Sequence, residues 1–150
     1  KNKDEYILDL YSGSGTFTLP LLKKGFKVSA IDNNKNSIQC LLKSSKEQNL
    51  FNNIEYNVLN LTKEKIETHY FQKFDLVILD PPRTGSSLQV TLLGEAKVKK
   101  IIYISCNIQT FLRDTQILFS QGYEIKYILP IDQFLYTSHL EIFSVFEILN

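Results

Sequence analysis

The sequence predicts an α/β fold built on a mostly parallel sheet. Three observations carry that prediction. Short apolar runs alternate with segments of helical spacing along the whole chain. One run, Phe74-Asp-Leu-Val-Ile-Leu79, is almost continuously apolar, as a central parallel strand covered on both faces must be. The last two apolar runs have no helical segment between them, so the sheet should end in an antiparallel pair.

Tyr6 to Tyr11 is a short strand, followed by the turn Ser12-Gly-Ser-Gly15 and a helix over 16–24. Phe26 to Ile31 alternates into a second strand that ends at Asp32. Ile38, Leu41 and Leu42 give 35–48 helical spacing, and 49–53 is rich in turn residues. Ile54 to Val58 is a third strand, and 62–70 is expected to be a helix. Pro81 and Pro82 stop the fourth strand, because proline cannot continue a central strand. Leu88 to Ala96 is helical, Lys100 to Ser105 a fifth strand, and 110–121 a helix closed by Gly122. The closing strands are 124–131 and 140–149.

A chain of 150 residues is the right size for one domain with one core. A net charge of +1 excludes a general polybasic footprint for nucleic acid. No apolar run approaches the length that spans a bilayer, and no signal peptide stands at the start. The two cysteines, Cys40 and Cys106, lie far apart without metal-ligand spacing, so a reducing, cytoplasmic setting is the default. The start, KNKDEY without Met, reads as part of a longer protein.

Three strand ends carry chemistry. At the first, Asp9-Leu-Tyr-Ser-Gly-Ser-Gly15 lets the backbone approach a ligand. A dinucleotide fingerprint would place a third glycine at Thr18. The carboxylate of Asp9 would repel a pyrophosphate but accept hydrogen bonds from an amine-bearing ligand, which favours S-adenosylmethionine over NAD. Asp32 is placed to accept from ribose hydroxyls. The plainer alternative is a tight turn with Asp9 capping the helix.

At the fourth strand end, Asp80-Pro81-Pro82-Arg83 lacks the aromatic that would stack on a flipped adenine. Asp80 is then free to bond a base edge, and Arg83 to hold a phosphate or orient Asp80. At the fifth, Ile101-Ile-Tyr-Ile-Ser-Cys-Asn107 ends in Cys106. Methylating C5 of a pyrimidine requires a thiolate at C6, a group at the base edge and a separate base. Cys106, Asp80 and Glu141 supply those types, and His139 shares a face with Glu141 in an extended chain. Singly, Cys106 reads better as a packed thiol, and His139 and Glu141 as surface residues.

LDLYSGSGTFTLPL, FDLVILDPPRTG, KIIYISCNIQTFLRD and PIDQFLYTSHLEIFSVFEIL together resemble the RNA 5-methyluridine (uracil-C5) methyltransferases of tRNA and ribosomal RNA. The resemblance runs through essentially the whole chain, and the last three motifs in that order are specific. It implies a class I, Rossmann-like methyltransferase fold with a mostly parallel seven-stranded sheet and an antiparallel last strand. It implies Cys106 as the nucleophile at uridine C6, Glu141 as the base that removes the C5 proton, and Asp80 at the uracil edge near N3. Asp9, Tyr11, Gly13, Gly15, Thr16, Asp32, Asn33, Asn60 and Asp80 would surround S-adenosylmethionine, with S-adenosylhomocysteine as product. Arg83, Asn107, Arg113, Asp114 and His139 would support the site or the substrate.

The implied partner is RNA, with no membrane, no metal in this segment and a monomeric chain. Two departures stand out. Asn60 occupies a position where the family carries an aspartate near the adenine amine, and its amide oxygen should accept in its place. Ile108 replaces the usual proline after Cys-Asn. Amino-terminal regions typical of the family, an RNA-binding β-barrel and sometimes an iron–sulfur cluster, are not in this segment; Cys40 and Cys106 could not hold a cluster alone. The rival readings are RNA cytosine-C5 methylation, disfavoured by Pro81-Pro82-Arg83 where those enzymes carry a second cysteine, and a non-catalytic cofactor- or RNA-binding module.

Overall fold

The computed structural model describes residues 5–132 and 140–149. Seven strands form one sheet in the order β3-β2-β1-β4-β5-β7-β6. They are β1 (Tyr6–Leu10), β2 (Lys27–Asp32), β3 (Ile54–Val58), β4 (Leu76–Leu79), β5 (Lys100–Ser105), β6 (Tyr123–Ile131) and β7 (Glu141–Ile148). The pairs among β1 to β5 are parallel, whereas β7 runs antiparallel to both β5 and β6. The expected antiparallel ending is therefore present, with β7 inserted between β5 and β6.

The helices are α1 (Thr18–Lys23), α2 (Lys35–Glu47), α3 (Thr68–Phe71), α4 (Ser87–Glu95) and α5 (Ile108–Ser120). Alternation along the strands builds a core on each face. Leu8, Leu10, Val77, Leu79, Ile101, Tyr103 and Phe146 point to one side, against Phe71, Val90, Leu93, Phe111 and Leu118 of α3 to α5. Ile7, Ile78 and Ile104 point to the other, where Phe17 and Leu21 pack, while Ala30 meets Ile38 and Leu41 of α2. A register shift between Ile125 and Tyr127 turns β6 over. Beyond it, Tyr127, Leu129 and Ile131 pair with Val145, Phe143 and Glu141 and are largely exposed.

The helix expected over 62–70 is a correction: only Thr68–Phe71 is helical. Local and long-range partners take the groups a helix would need. Asn60 Oδ1 accepts from Thr62 N–H at 3.2 Å, and Glu64 Oε1 from Asn60 N–H at 2.7 Å. Gln89 Nε2 of α4 donates to the carbonyls of Leu61 and Glu64, both at 2.9 Å. Asx-type side-chain bonds of this kind compete with helix formation.

Candidate active site

In an open α/β sheet, ligands meet the carboxyl ends of the strands. The turn after β1 is bent sharply there. Tyr11 adopts φ 63°, a conformation costly for a residue with a side chain, and Gly13 and Gly15 follow at 53° and 100°. Gly15 is favoured as glycine by its φ of 100°, and an added Cβ would also press on Leu41 Cδ1 of α2 at 2.5 Å. A Cβ on Gly13 would meet nothing within 4 Å, so that side of the turn is open.

Asp32 fixes the turn to the end of β2. Its Oδ2 accepts from Gly13 N–H at 2.9 Å and its Oδ1 from Asn34 N–H at 2.8 Å. Beside it, a cleft of about 270 Å³ is lined by Tyr11, Asp32, Asn33, Asn60, Leu61, Thr62, Asp80 and Pro82. A second cleft of about 160 Å³ adjoins it across Tyr11, Leu61 and Thr62 and is walled by Thr84, Gly85, Ser86, Ser87 and Leu88.

Of the residues expected around the cofactor, Tyr11, Asp32, Asn33, Asn60 and Asp80 line the larger cleft, whereas Asp9, Gly13, Gly15 and Thr16 do not. Asp9 is completely buried beneath the turn. Its Oδ2 accepts from Thr18 Oγ1 of α1 at 2.5 Å, and its Oδ1 has no partner among the described residues. Burial pushes its carboxyl up to about 7, partly offset by the Thr18 hydroxyl. Asp9 thus clasps the helix start through Oδ2.

Asn60 also differs from expectation. Its Oδ1 accepts from both Thr62 N–H and Thr62 Oγ1, the latter at 2.7 Å, which uses both lone pairs. Its amide oxygen is thus engaged within its own turn. Leu61, Thr62, Pro82 and the 84–88 segment were missed by sequence reasoning. They sit on the loops after β3 and β4, and only their position past two strand ends could have flagged them.

The three residues of the expected reaction stand at strand ends on one edge of the sheet: Asp80 follows β4, Cys106 follows β5 and Glu141 opens β7. Ile78 and Ile104, two residues before Asp80 and Cys106, share a sheet face with Phe143. Ser105, the last residue of β5, pairs with Ile142, the residue after Glu141. Burial, and secondarily the nearby Glu141 charge, raise the Asp80 carboxyl to about 6. Cys106 is a free, partly exposed thiol.

Asn107 caps α5, accepting from Gln109 and Thr110 N–H at 2.9 and 3.3 Å. Ile108 takes the first helical position, where the resemblance leads one to expect proline. Arg83 is exposed, and its carbonyl accepts from Thr110 Oγ1 at 3.1 Å. Arg113 bonds Asp114 and the carbonyl of Thr84, a wall residue of the second cleft, without itself lining either cleft. His139 lies outside the described residues. Among the described residues, no group of three or more His, Cys, Asp or Glu could hold a metal ion, and no helix is long and apolar enough to cross a membrane.

The family model for tRNA (uracil-5-)-methyltransferase matches residues 1–147. The chain belongs to the tRNA (uracil-5-)-methyltransferase family. The 23S rRNA (uracil(1939)-C(5))-methyltransferase of Pasteurella multocida is 37% identical over 145 residues, covering 96% of this chain and 33% of that protein. The Haemophilus influenzae counterpart is 36% identical over 146 residues, covering 97% and 33%. The chain spans about a third of the length of these curated relatives.

Among solved structures, the tRNA (uracil-54, C5)-methyltransferase of Pyrococcus abyssi, in complex with S-adenosyl-L-homocysteine, superposes with a TM-score of 0.81 at 36% identity. It covers 95% of this chain and 34% of that one. M. jannaschii TYW2 in complex with AdoMet has a TM-score of 0.72 at 19% identity over 99% of this chain and 71% of that one, a likeness of fold.

Proposed function

We propose that this family member transfers a methyl group from S-adenosylmethionine to C5 of a uridine in structured tRNA or ribosomal RNA. The observation that supports the reading is that Asp80, Cys106 and Glu141 stand at the adjoining ends of β4, β5 and β7, with Asp80 lining the larger cleft and within reach of the Glu141 charge. The names of its relatives support uracil as the base.

The residues present fit the cofactor. Asp32 offers a carboxylate held in place for a ribose diol, Asn33 and Asn60 offer amides, and the open side of Gly13 leaves room for close backbone approach. When bound, the cofactor supplies an electrophilic methyl group on a sulfonium.

Cys106, as thiolate, adds to C6 of the uracil and pushes an electron pair to C5, which becomes nucleophilic enough to accept the methyl group. Ionised Asp80 accepts from N3–H, a donor that uracil has and neutral cytosine lacks. Glu141 then removes the C5 proton, the C5–C6 double bond re-forms, and the Cys106 thiolate leaves. The thiolate is regenerated, so the net proton released is the one from C5, passed by Glu141 to water. The target uridine has to leave its stack to reach Cys106.

The test is a single-turnover methylation assay with structured RNA carrying either uridine or cytidine at the target. Transfer to uridine alone supports the reading. Transfer to cytidine would assign a cytosine enzyme, and cofactor binding without transfer to either would leave a binding module.

A further inference from the structure

Asp114 sits in the middle of α5 and is wholly buried, outside the walls of both clefts. A buried carboxylate is tolerated only when its oxygens are well partnered. Here Oδ2 accepts from Ser86 N–H at 2.7 Å and from Tyr103 Oη at 2.6 Å. Oδ1 accepts from Arg113 Nε at 2.9 Å, with Arg113 Nη2 at 2.7 Å.

These bonds converge on the loop that follows Asp80. Arg113 Nη2 also donates to the Thr84 carbonyl at 3.0 Å, and Thr110 Oγ1 to the Arg83 carbonyl at 3.1 Å. The approach is close enough to require glycine. Gly85 has φ 75°, and an added Cβ would stand 2.5 Å from Arg113 Nη2 and 2.7 Å from Asp114 Oδ2. From that loop the connection continues to the cofactor turn, since Ser86 Oγ and Tyr11 Oη lie 2.8 Å apart. Tyr11 is the residue held at φ 63°, and it forms a wall of both clefts.

We propose that Asp114 is a positioning residue of the cofactor cleft: by holding Ser86 it sets the Tyr11 side chain and the Asp80 loop in their binding arrangement. The inference rests on the reading that this cleft takes S-adenosylmethionine. The same helix begins directly after Cys106, so Asp114 also ties the loop bearing Asp80 to the element bearing the thiol. Arg113 acts with it, neutralising the buried charge while gripping the Thr84 carbonyl.

The test is S-adenosylhomocysteine binding by calorimetry on the chain itself and on Asp114→Asn, Ser86→Ala, Tyr11→Phe and the Asp114→Asn/Tyr11→Phe pair. An amide cannot accept on both sides, so Asp114→Asn leaves Ser86 or Arg113 facing another donor. Asp114→Asn and Tyr11→Phe should each weaken binding about tenfold, and the pair should be weaker than Asp114→Asn alone by no more than about twofold. That non-additivity between side chains not in contact is what a general stabilising role would not produce.

Fully additive losses, or affinities equal to that of the parent chain, would overturn the proposal. Should Asp114→Asn fail to fold, Ser86→Ala decides: weakened binding supports the relay, and unchanged binding ends it. A parent chain that binds no S-adenosylhomocysteine would defeat the cofactor reading and this inference with it. A parent chain that binds while its variants are unaffected would defeat this inference alone.

Discussion

Asp9→Asn should make the chain relatively more stable as pH rises. Asp9 has no exposure to solvent, one oxygen bonded to Thr18 and the other without a partner among the described residues. Its carboxyl titrates near 7 in the folded chain against an ordinary value of 3.8. Between those values the folded state keeps a proton that the unfolded chain has lost. Raising the pH therefore favours unfolding, and stability present below about pH 4 is lost as pH climbs through about 7. Roughly three pH units at 1.36 kcal/mol each make the loss about 4 kcal/mol. Asparagine keeps an oxygen for Thr18 and cannot ionise. The measurement is urea unfolding of both chains at pH 4.5 and pH 8. The stability difference between Asp9→Asn and the parent should grow in favour of the variant by about 3–4 kcal/mol over that span. A difference that stays constant within about 1 kcal/mol would refute the argument, because it would mean that Asp9 is already ionised and compensated in the fold.

Three further outcomes follow from the site. Cys106→Ala should lower uridine methylation by roughly three orders of magnitude or more while S-adenosylhomocysteine still binds, as paired calorimetry and single-turnover assays would report. Because the Asp80 carboxyl titrates near 6 and must be ionised to accept from N3–H, kcat/KM should fall by a further factor of about ten per unit below that pH; a profile without a bend near pH 6 would remove Asp80 from the base edge. Gly85→Ala should cost about 1–2 kcal/mol for the left-handed backbone alone, read by urea unfolding, and more if Asp114 and Arg113 cannot retreat from the new methyl group.

The sheet was legible in the sequence because each strand is a short apolar run whose neighbours set its limits. Ile54–Val58 and Lys100–Ser105 fall where the pattern puts them. The segment over 62–67 was not, because its backbone partners are Asn60 and the distant Gln89, and periodicity carries no trace of a bond to a residue 25 or 28 positions away. Asp80, Cys106 and Glu141 could be picked out because each interrupts or bounds an apolar run with a reactive group. Asp9 looked alike from sequence, yet burial beneath α1 gives it to Thr18. The Asp114–Ser86–Tyr11 connection joins three elements far apart in the chain, so only the fold brings it into view.

The central claim is that Cys106 bonds to uridine C6 and that Glu141 is needed to undo that bond. Glu141→Gln should let addition and methyl transfer proceed but leave the C5 proton in place, so the methylated adduct persists. The decisive measurement is mass spectrometry of the Glu141→Gln chain after incubation with S-adenosylmethionine and structured RNA. The account predicts a methylated uridine cross-linked to the peptide that contains Cys106. Normal release of 5-methyluridine by this variant, or a cross-link to any other residue, would contradict it.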